Sequence, residues 1–262
     1  KRQRDGVGAR AYIQWFIVAA ILVAGGSLTF FIADQRSNIE PDTFCDRRGP
    51  SGVEMILIDA SDSLDEVQIE RAKSIVASKL QQLSAGTRVD IFVATHADGS
   101  LPAPVFSKCN PGKPGRYAGV YRDAESLRED YEQEYMMAIE REIGSLLGQP
   151  ALENSPILES IRSAATRSFG RVESDVPKSM IIISDMLQNS DLDSHYRDDI
   201  SISSFLNSER WPQAMSDLHQ SDVEILYVLR PQYRDFQGAF HLNWWDQYLR
   251  SIGAKSISVR SI

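Results

Sequence analysis

The sequence predicts an α/β domain with a doubly wound, mostly parallel sheet flanked by helices, preceded by one N-terminal transmembrane helix. Short apolar runs, typical of strands buried on both faces, alternate with amphipathic helical segments. The 262-residue chain has a formal net charge of −8 and is 42% hydrophobic, which is ordinary for a folded protein and excludes a disordered one. Its acidic balance also argues against nucleic acid as a partner, because phosphate-backbone binding needs a cationic face.

Residues 11–33 (AYIQWFIVAAILVAGGSLTFFIA) contain no charged side chain. About 20 apolar helical residues span a bilayer, so this stretch predicts a transmembrane helix. A signal peptide is the alternative, although its apolar region usually covers about 7–15 residues. Residues 1–10 carry four basic side chains, and this predicts a cytoplasmic N-terminus with the soluble part outside the cytoplasm.

Residues 34–52 are polar and contain proline and glycine, which predicts a linker before a domain over residues 53–262. The chain has two cysteines, Cys45 and Cys109. In an oxidising compartment they could pair. The sequence does not give their separation, so two free thiols are an equal alternative.

The first half of the domain predicts a βαβ unit followed by an edge strand. Residues 53–58 (VEMILI) are a buried strand, residues 65–83 have helical periodicity, and residues 88–95 are the next strand. Residues 102–109 (PAPVFSKC) predict a short edge strand, and residues 124–147 a long helix.

The second half continues the same alternation. The pattern predicts helices over residues 155–169, 203–220 and 243–252. It predicts strands over residues 179–184, 223–229 and 255–260. Trp244 and Trp245 are expected to pack the last helix against the sheet.

Oxygen-bearing side chains follow two of the predicted strands and begin one helix. The first strand runs into Asp59-Ala60-Ser61-Asp62-Ser63, Ser155 precedes a helix, and Asp185 follows strand 179–184. The carboxyl ends of parallel strands form the ligand crevice where strand order reverses. We therefore expect these side chains to meet at one edge of the sheet. Simple structural roles are the alternative: a Ser63–Glu66 capping box and Ser155 as an N-cap.

This set resembles the metal-ion-dependent adhesion site of the von Willebrand factor A domain family. The family pattern is Asp-x-Ser-x-Ser, then a threonine at a later helix start, then an aspartate after a central strand. The matching residues are Asp59, Ser61, Ser63, Ser155 in the threonine's place, and Asp185. The resemblance covers residues 53–262.

The resemblance implies a divalent ion, Mg²⁺ or alternatively Mn²⁺ or Ca²⁺, held by those five residues directly or through water. Hard cations of this kind prefer oxygen ligands. It further implies that a protein partner completes the metal's shell with an acidic residue. By analogy, the chain would be a subunit of a bacterial-type complex at the inner membrane, with a periplasmic domain and no catalytic residues.

Two other functions remain open. A metal-dependent phosphoester hydrolase could use the same crevice with Asp62 or His195 as general base. A structural module with an empty site is the third possibility. The histidines at 96, 195, 219 and 241 lack metalloprotease spacing, and neither a Gly-x-Ser-x-Gly nor a Walker A sequence is present. The acidic residues Asp191, Asp193, Asp198 and Asp199 either rim the metal site or form a solvated loop.

Overall fold

The computed structural model describes residues 12–27, 38–59, 61, 64–94, 103–113, 124–148, 154–197 and 200–262. Within them, a single sheet is formed by β1 (Gly52–Ile58), β2 (Thr87–Val93), β3 (Phe106–Cys109), β4 (Lys178–Ser184), β5 (Asp222–Tyr227) and β6 (Ser256–Ser261). The strand order is β3-β2-β1-β4-β5-β6. Only the β2–β3 pair is antiparallel in this sheet. The predicted α/β class with a mostly parallel sheet is confirmed.

The helices of the described residues are α1 (12–27), α2 (Glu66–Leu80), α3 (Ala124–Glu129), α4 (Ala138–Leu147), α5 (Ile157–Ser168), α6 (Ile202–Leu206), α7 (Trp211–Ala214) and α8 (Ala239–Ser251). A π-helical segment, Asp130–Met137, joins α3 to α4. The single helix predicted near residues 203–220 is wrong, because the chain forms two short helices there. Pro212 lies in the first turn of α7, the part of a helix that tolerates proline.

The sheet is covered on both faces. Met55 and Leu57 of β1 pack with side chains of α5 and α8. Ile56, between them in sequence, points to the opposite face and packs with α2 and α4. Trp244 and Trp245 are buried in the first of these clusters, as predicted.

The N-terminus of α2 is capped by Asp65. The backbone N–H of Gln68 donates to Asp65 Oδ1 at 2.8 Å, and the Asp65 N–H donates to Gln68 Oε1 at 3.2 Å. This is a capping box, and it starts two residues later than the predicted Ser63–Glu66 box, which is wrong. A carboxylate at this position also interacts favourably with the helix dipole.

Part of the predicted linker is attached to the edge strand β3. Cys45 and Cys109 form a disulfide, so of the two alternatives the sequence left open, the paired one is present. The Cys109 N–H donates to the Thr43 carbonyl at 2.8 Å. Phe44 is buried, with the Lys108 ammonium 5.2 Å from its ring centroid. Residues 38–51 therefore lie against the domain.

The helix α1 covers part of the predicted transmembrane stretch. Its large apolar side chains, such as Trp15 and Phe16, are exposed. Among the described residues, no helix combines the length and the apolar character needed to cross a membrane. The predicted span over residues 11–33 is therefore not supported by α1, and its residues 11 and 28–33 lie outside the described part of the chain.

Candidate metal centre

The candidate site lies where the strand order reverses. β1 and β4 are neighbours, while the strands that follow them along the chain, β2 and β5, lie on opposite sides. Asp59 comes directly after β1, and its N–H donates to the Ile183 carbonyl of β4 at 2.9 Å. Asp185 comes directly after β4. The two aspartates thus follow adjacent strands at the ligand-binding edge of the sheet.

The Asp59 carboxylate is the centre of a buried hydrogen-bond cluster. Its Oδ2 accepts from the hydroxyls of Ser155 and Ser184, each at 2.8 Å. Its Oδ1 accepts from the backbone N–H of Ser61 at 3.0 Å. Asp59 is only 5% exposed, so these donors replace the water that an ionised carboxylate would otherwise need.

The backbone around Ser155 directs its hydroxyl toward Asp59. The Ser155 N–H donates to the Asn189 carbonyl at 2.9 Å, and the Asn189 N–H donates back to the Ser155 carbonyl at 2.8 Å. Pro156 occupies the N-cap of α5 and makes no side-chain cap. The alternative that Ser155 caps the helix is therefore wrong, since its hydroxyl donates a hydrogen bond to Asp59.

The Asp185 carboxylate contacts a different set of groups. Its Oδ1 accepts from the Leu187 N–H at 2.9 Å, and its Oδ2 lies 3.5 Å from Nε of Arg230. Both side chains of this ion pair are buried. Asp185 comes directly after Ser184, whose hydroxyl contacts Asp59. The charge of Asp185 itself is balanced by the Arg230 guanidinium.

The structure describes four of the five predicted ligands, and their role as metal ligands stays a prediction. Ser155 contacts Asp59, Ser61 is held to it through its backbone, and Asp185 follows in the next position along β4. Ser63 lies outside the described residues, as do Ala60 and Asp62.

Ser184 and Arg230 are not in the predicted ligand set. Ser184 has a sequence signal, because it is the polar residue that ends the apolar run of β4, at the edge of the sheet where Asp59 follows β1. The Ser184 hydroxyl also accepts from the Met186 N–H at 2.7 Å. Arg230 follows β5 and has no local pattern that connects it with Asp185.

A turn at Met186 holds the backbone next to Asp185. Met186 has a φ of +61°, which is uncommon for a residue other than glycine. Its carbonyl accepts from Trp245 Nε1 at 2.8 Å and from His241 Nε2 at 3.0 Å. Because a carbonyl can only accept, the His241 ring proton lies on Nε2, and Nδ1 therefore accepts from the Tyr227 hydroxyl at 2.8 Å. Burial lowers the pKa of His241 to about 4, so the ring stays neutral and keeps these hydrogen bonds at neutral pH.

His195 is a packed core side chain. Its ring lies 4.5 Å from that of Trp244, and its Nδ1 is 3.1 Å from His241 Nε2. Burial, together with the neighbouring His241, lowers the pKa of His195 well below its usual range. This environment does not suit the general base of the hydrolase alternative; the other base named for it, Asp62, is among the undescribed residues.

Two of the four acidic residues after Asp185 lie in the described part of the chain, and their surroundings differ. Asp191 is exposed, whereas Asp193 is buried and pairs with Arg197 at 2.8 Å and with Arg210 at 3.2 Å. For Asp193, the solvated-loop expectation is wrong, because the side chain is buried and paired with two arginines. Asp198 and Asp199 lie outside the described residues.

The donor set at Asp59 suits a hard divalent cation. One carboxylate and two hydroxyls meet there, and such ions prefer oxygen ligands. No group of three or more His, Cys, Asp or Glu side chains in the described part of the chain is placed to hold a metal. The predicted site contains only two carboxylates, so it does not require such a group. The Arg230 guanidinium, 3.5 Å from Asp185, carries a charge that opposes a metal ion there.

Searches with this chain find no matching protein-family model and no matching curated protein.

Proposed function

We propose that this chain is a von Willebrand factor A-like domain that binds a protein partner through a divalent metal ion. The ion is Mg²⁺, with Mn²⁺ or Ca²⁺ as alternatives, and its ligands, direct or through water, are Asp59, Ser61, Ser63, Ser155 and Asp185. The partner contributes an acidic side chain. The chain itself acts as a binding subunit and not as an enzyme.

The convergence of two serine hydroxyls on the Asp59 carboxylate is the observation that carries this proposal. A capping role for Ser155 would leave its hydroxyl on the helix backbone, and a solvated Asp59 would need no buried donors. Instead, distant segments bring oxygen atoms together at the edge of the sheet where ligands bind in doubly wound folds.

A site of this composition leaves part of the metal's coordination shell to other groups. Serine hydroxyls are neutral ligands, and two carboxylates do not fill the six positions that Mg²⁺ prefers. Two carboxylates balance the charge of the ion, but Arg230 is paired with Asp185, so the site with its ion carries a net positive charge that attracts an acidic side chain from a partner. Asp59 supplies the anchoring charge, and Ser155 and Ser184 keep its carboxylate in one orientation.

The proposal includes attachment to a bacterial inner membrane through residues 11–33, with the domain in the periplasm as a subunit of a membrane complex. The uncharged character of that stretch and the basic residues before it support this placement. The Cys45–Cys109 disulfide is additional support, because disulfides persist mainly in oxidising compartments.

A second candidate is a structural module whose metal site stays empty. The ion pair between Arg230 and Asp185 favours it, since that arginine already neutralises one of the predicted ligands. In this case the domain would bind its partner without any metal.

Affinity capture from membranes distinguishes the two candidates. The full chain would be used as bait in Mg²⁺ and in EDTA, beside Asp59→Asn and the matched control Asp235→Asn, which changes an exposed aspartate. The adhesion function predicts a partner retained by the wild type and by Asp235→Asn in Mg²⁺ but lost in EDTA or with Asp59→Asn. Capture that is indifferent to EDTA and to Asp59→Asn would refute it and favour the structural module.

A further inference from the structure

Arg230 is held in place beside the candidate site by several hydrogen bonds. Its backbone N–H donates to Gln237 Oε1 at 2.7 Å. The side-chain amide of Gln237 donates in turn to the carbonyls of Asp185 at 3.1 Å and Val228 at 2.9 Å. One glutamine therefore ties the backbone of Arg230 to the backbone of Asp185.

The guanidinium and the carboxylate of this pair are both withdrawn from solvent. Nε of Arg230 lies 3.5 Å from Oδ2 of Asp185, and their side chains are 9% and 2% exposed. A buried carboxylate without a cation is strongly unfavourable. Arg230 thus provides, at Asp185, the positive charge that a bound metal ion would also provide.

Two cations at one buried carboxylate repel each other. Repulsion between charges a few ångströms apart is weakly screened where solvent is excluded. A divalent ion that uses Asp185, directly or through water, must therefore displace the arginine or bind against its charge.

We propose that Arg230 is an internal competitor that sets the metal affinity of this site. It neutralises Asp185 when the ion is absent, and it weakens binding of the ion by its own charge. This inference rests on the proposed function, because it concerns the same metal ion.

Metal titration of arginine variants tests this role. Mn²⁺ and Mg²⁺ would be titrated by calorimetry into the full chain in detergent, for the wild type, Arg230→Gln, Arg230→Lys and Arg234→Gln. We expect Arg230→Gln to bind about tenfold tighter or more than the wild type. Arg230→Lys keeps the charge and should stay near the wild type. Arg234→Gln makes the same charge change at an exposed position on the same segment, where solvent and salt screen it, and should have little effect.

Arg230→Gln leaves Asp185 without its arginine and can fail to fold, so a measurement on the wild type accompanies it. The Nε–H resonance of Arg230 would be followed by NMR during Mg²⁺ titration. A shift of this resonance, with that of Arg234 unchanged, supports the competition, while an unchanged Arg230 resonance at saturating Mg²⁺ overturns it.

The outcomes separate this inference from the proposed function. Equal affinity of wild type and Arg230→Gln, with binding lost in Asp59→Asn, would refute the role of Arg230 and leave the metal site intact. Binding that appears only in Arg230→Gln would support it. The absence of binding in both proteins would refute the metal site and this inference together.

Discussion

Ser155 and Asp59 are 96 positions apart in the sequence, yet the hydroxyl of one donates a 2.8 Å hydrogen bond to the carboxylate of the other inside the protein. The contact joins the start of α5 to the end of β1, where the strand order of the sheet reverses. Among the described residues, this hydrogen bond links two separate segments of the predicted ligand set.

Ser155→Ala should lower the free energy of unfolding by about 2 kcal/mol, because hydrogen bonds to buried charged groups contribute about 1.5–3 kcal/mol. Ser256→Ala is a matched control, since the Ser256 hydroxyl also bonds an aspartate, Asp222, but on the surface. The control should cost well under about 1 kcal/mol. Urea unfolding of both variants provides the measurement. Equal losses of unfolding free energy in the two variants would mean that the buried hydrogen bond stabilises the fold no more than the exposed one.

Glu54→Gln should change how stability depends on pH. Glu54 is buried, its Oε2 accepts from Ser179 at 2.6 Å, and burial raises its pKa from 4.5 to about 7. The folded state therefore keeps a proton that the unfolded chain releases near pH 4.5, and the wild type loses stability as the pH rises from there to about 7. Between pH 4 and pH 8, the variant should gain about 3 kcal/mol relative to the wild type.

Urea unfolding at several pH values measures this difference. Glu132→Gln, a change at an exposed residue within a helical stretch, is the control and should follow the wild type at every pH. A constant difference between Glu54→Gln and the wild type would show that Glu54 has no raised pKa.

His241→Gln should have the opposite pH dependence. Burial lowers the pKa of His241 from 6.5 to about 4, so the folded state excludes a proton that the unfolded chain takes up below pH 6.5. Stability from this group is present above that pH and is lost as the pH falls toward 4. Between pH 7 and pH 4, the wild type should lose about 3 kcal/mol relative to the variant. Thermal unfolding across this range checks the prediction, with the exposed His219 changed to Gln as control.

The double variant Cys45→Ser, Cys109→Ser should be less stable by about 4 kcal/mol, because the disulfide closes a loop with a sequence separation of 64. The same loss should follow reduction of the wild type, while the double variant should not respond to reductant. Limited proteolysis gives a local readout, with cleavage in residues 38–51 faster after reduction. Unchanged cleavage would indicate that other contacts hold this segment on β3.

The fold was predictable where burial dictates the pattern. The apolar runs that became β1, β4 and β5 are buried on both faces, so a parallel sheet follows from them, and the ends of β1 and β4 located Asp59 and Asp185. Ser155 was predicted to join them because it precedes a helix that was expected to begin at the same edge, and because it occupies the place of the threonine in the family pattern.

Features that depend on packing between distant segments were not predictable. The pairing of Arg230 with Asp185 and that of Arg210 with Asp193 have no local sequence signal. The capping box was predicted two residues too early, because Ser63 with Glu66 and Asp65 with Gln68 both satisfy the same pattern. The π-helical segment 130–137 likewise has no distinguishing periodicity.

The metal-binding claim is tested most directly by titrating Mn²⁺ into the full chain and counting bound ions by electron paramagnetic resonance, for the wild type, Asp59→Asn and Asp235→Asn. The account predicts one site in the wild type and in Asp235→Asn, and its loss in Asp59→Asn. Equal Mn²⁺ binding by all three proteins, or none by the wild type, would contradict it.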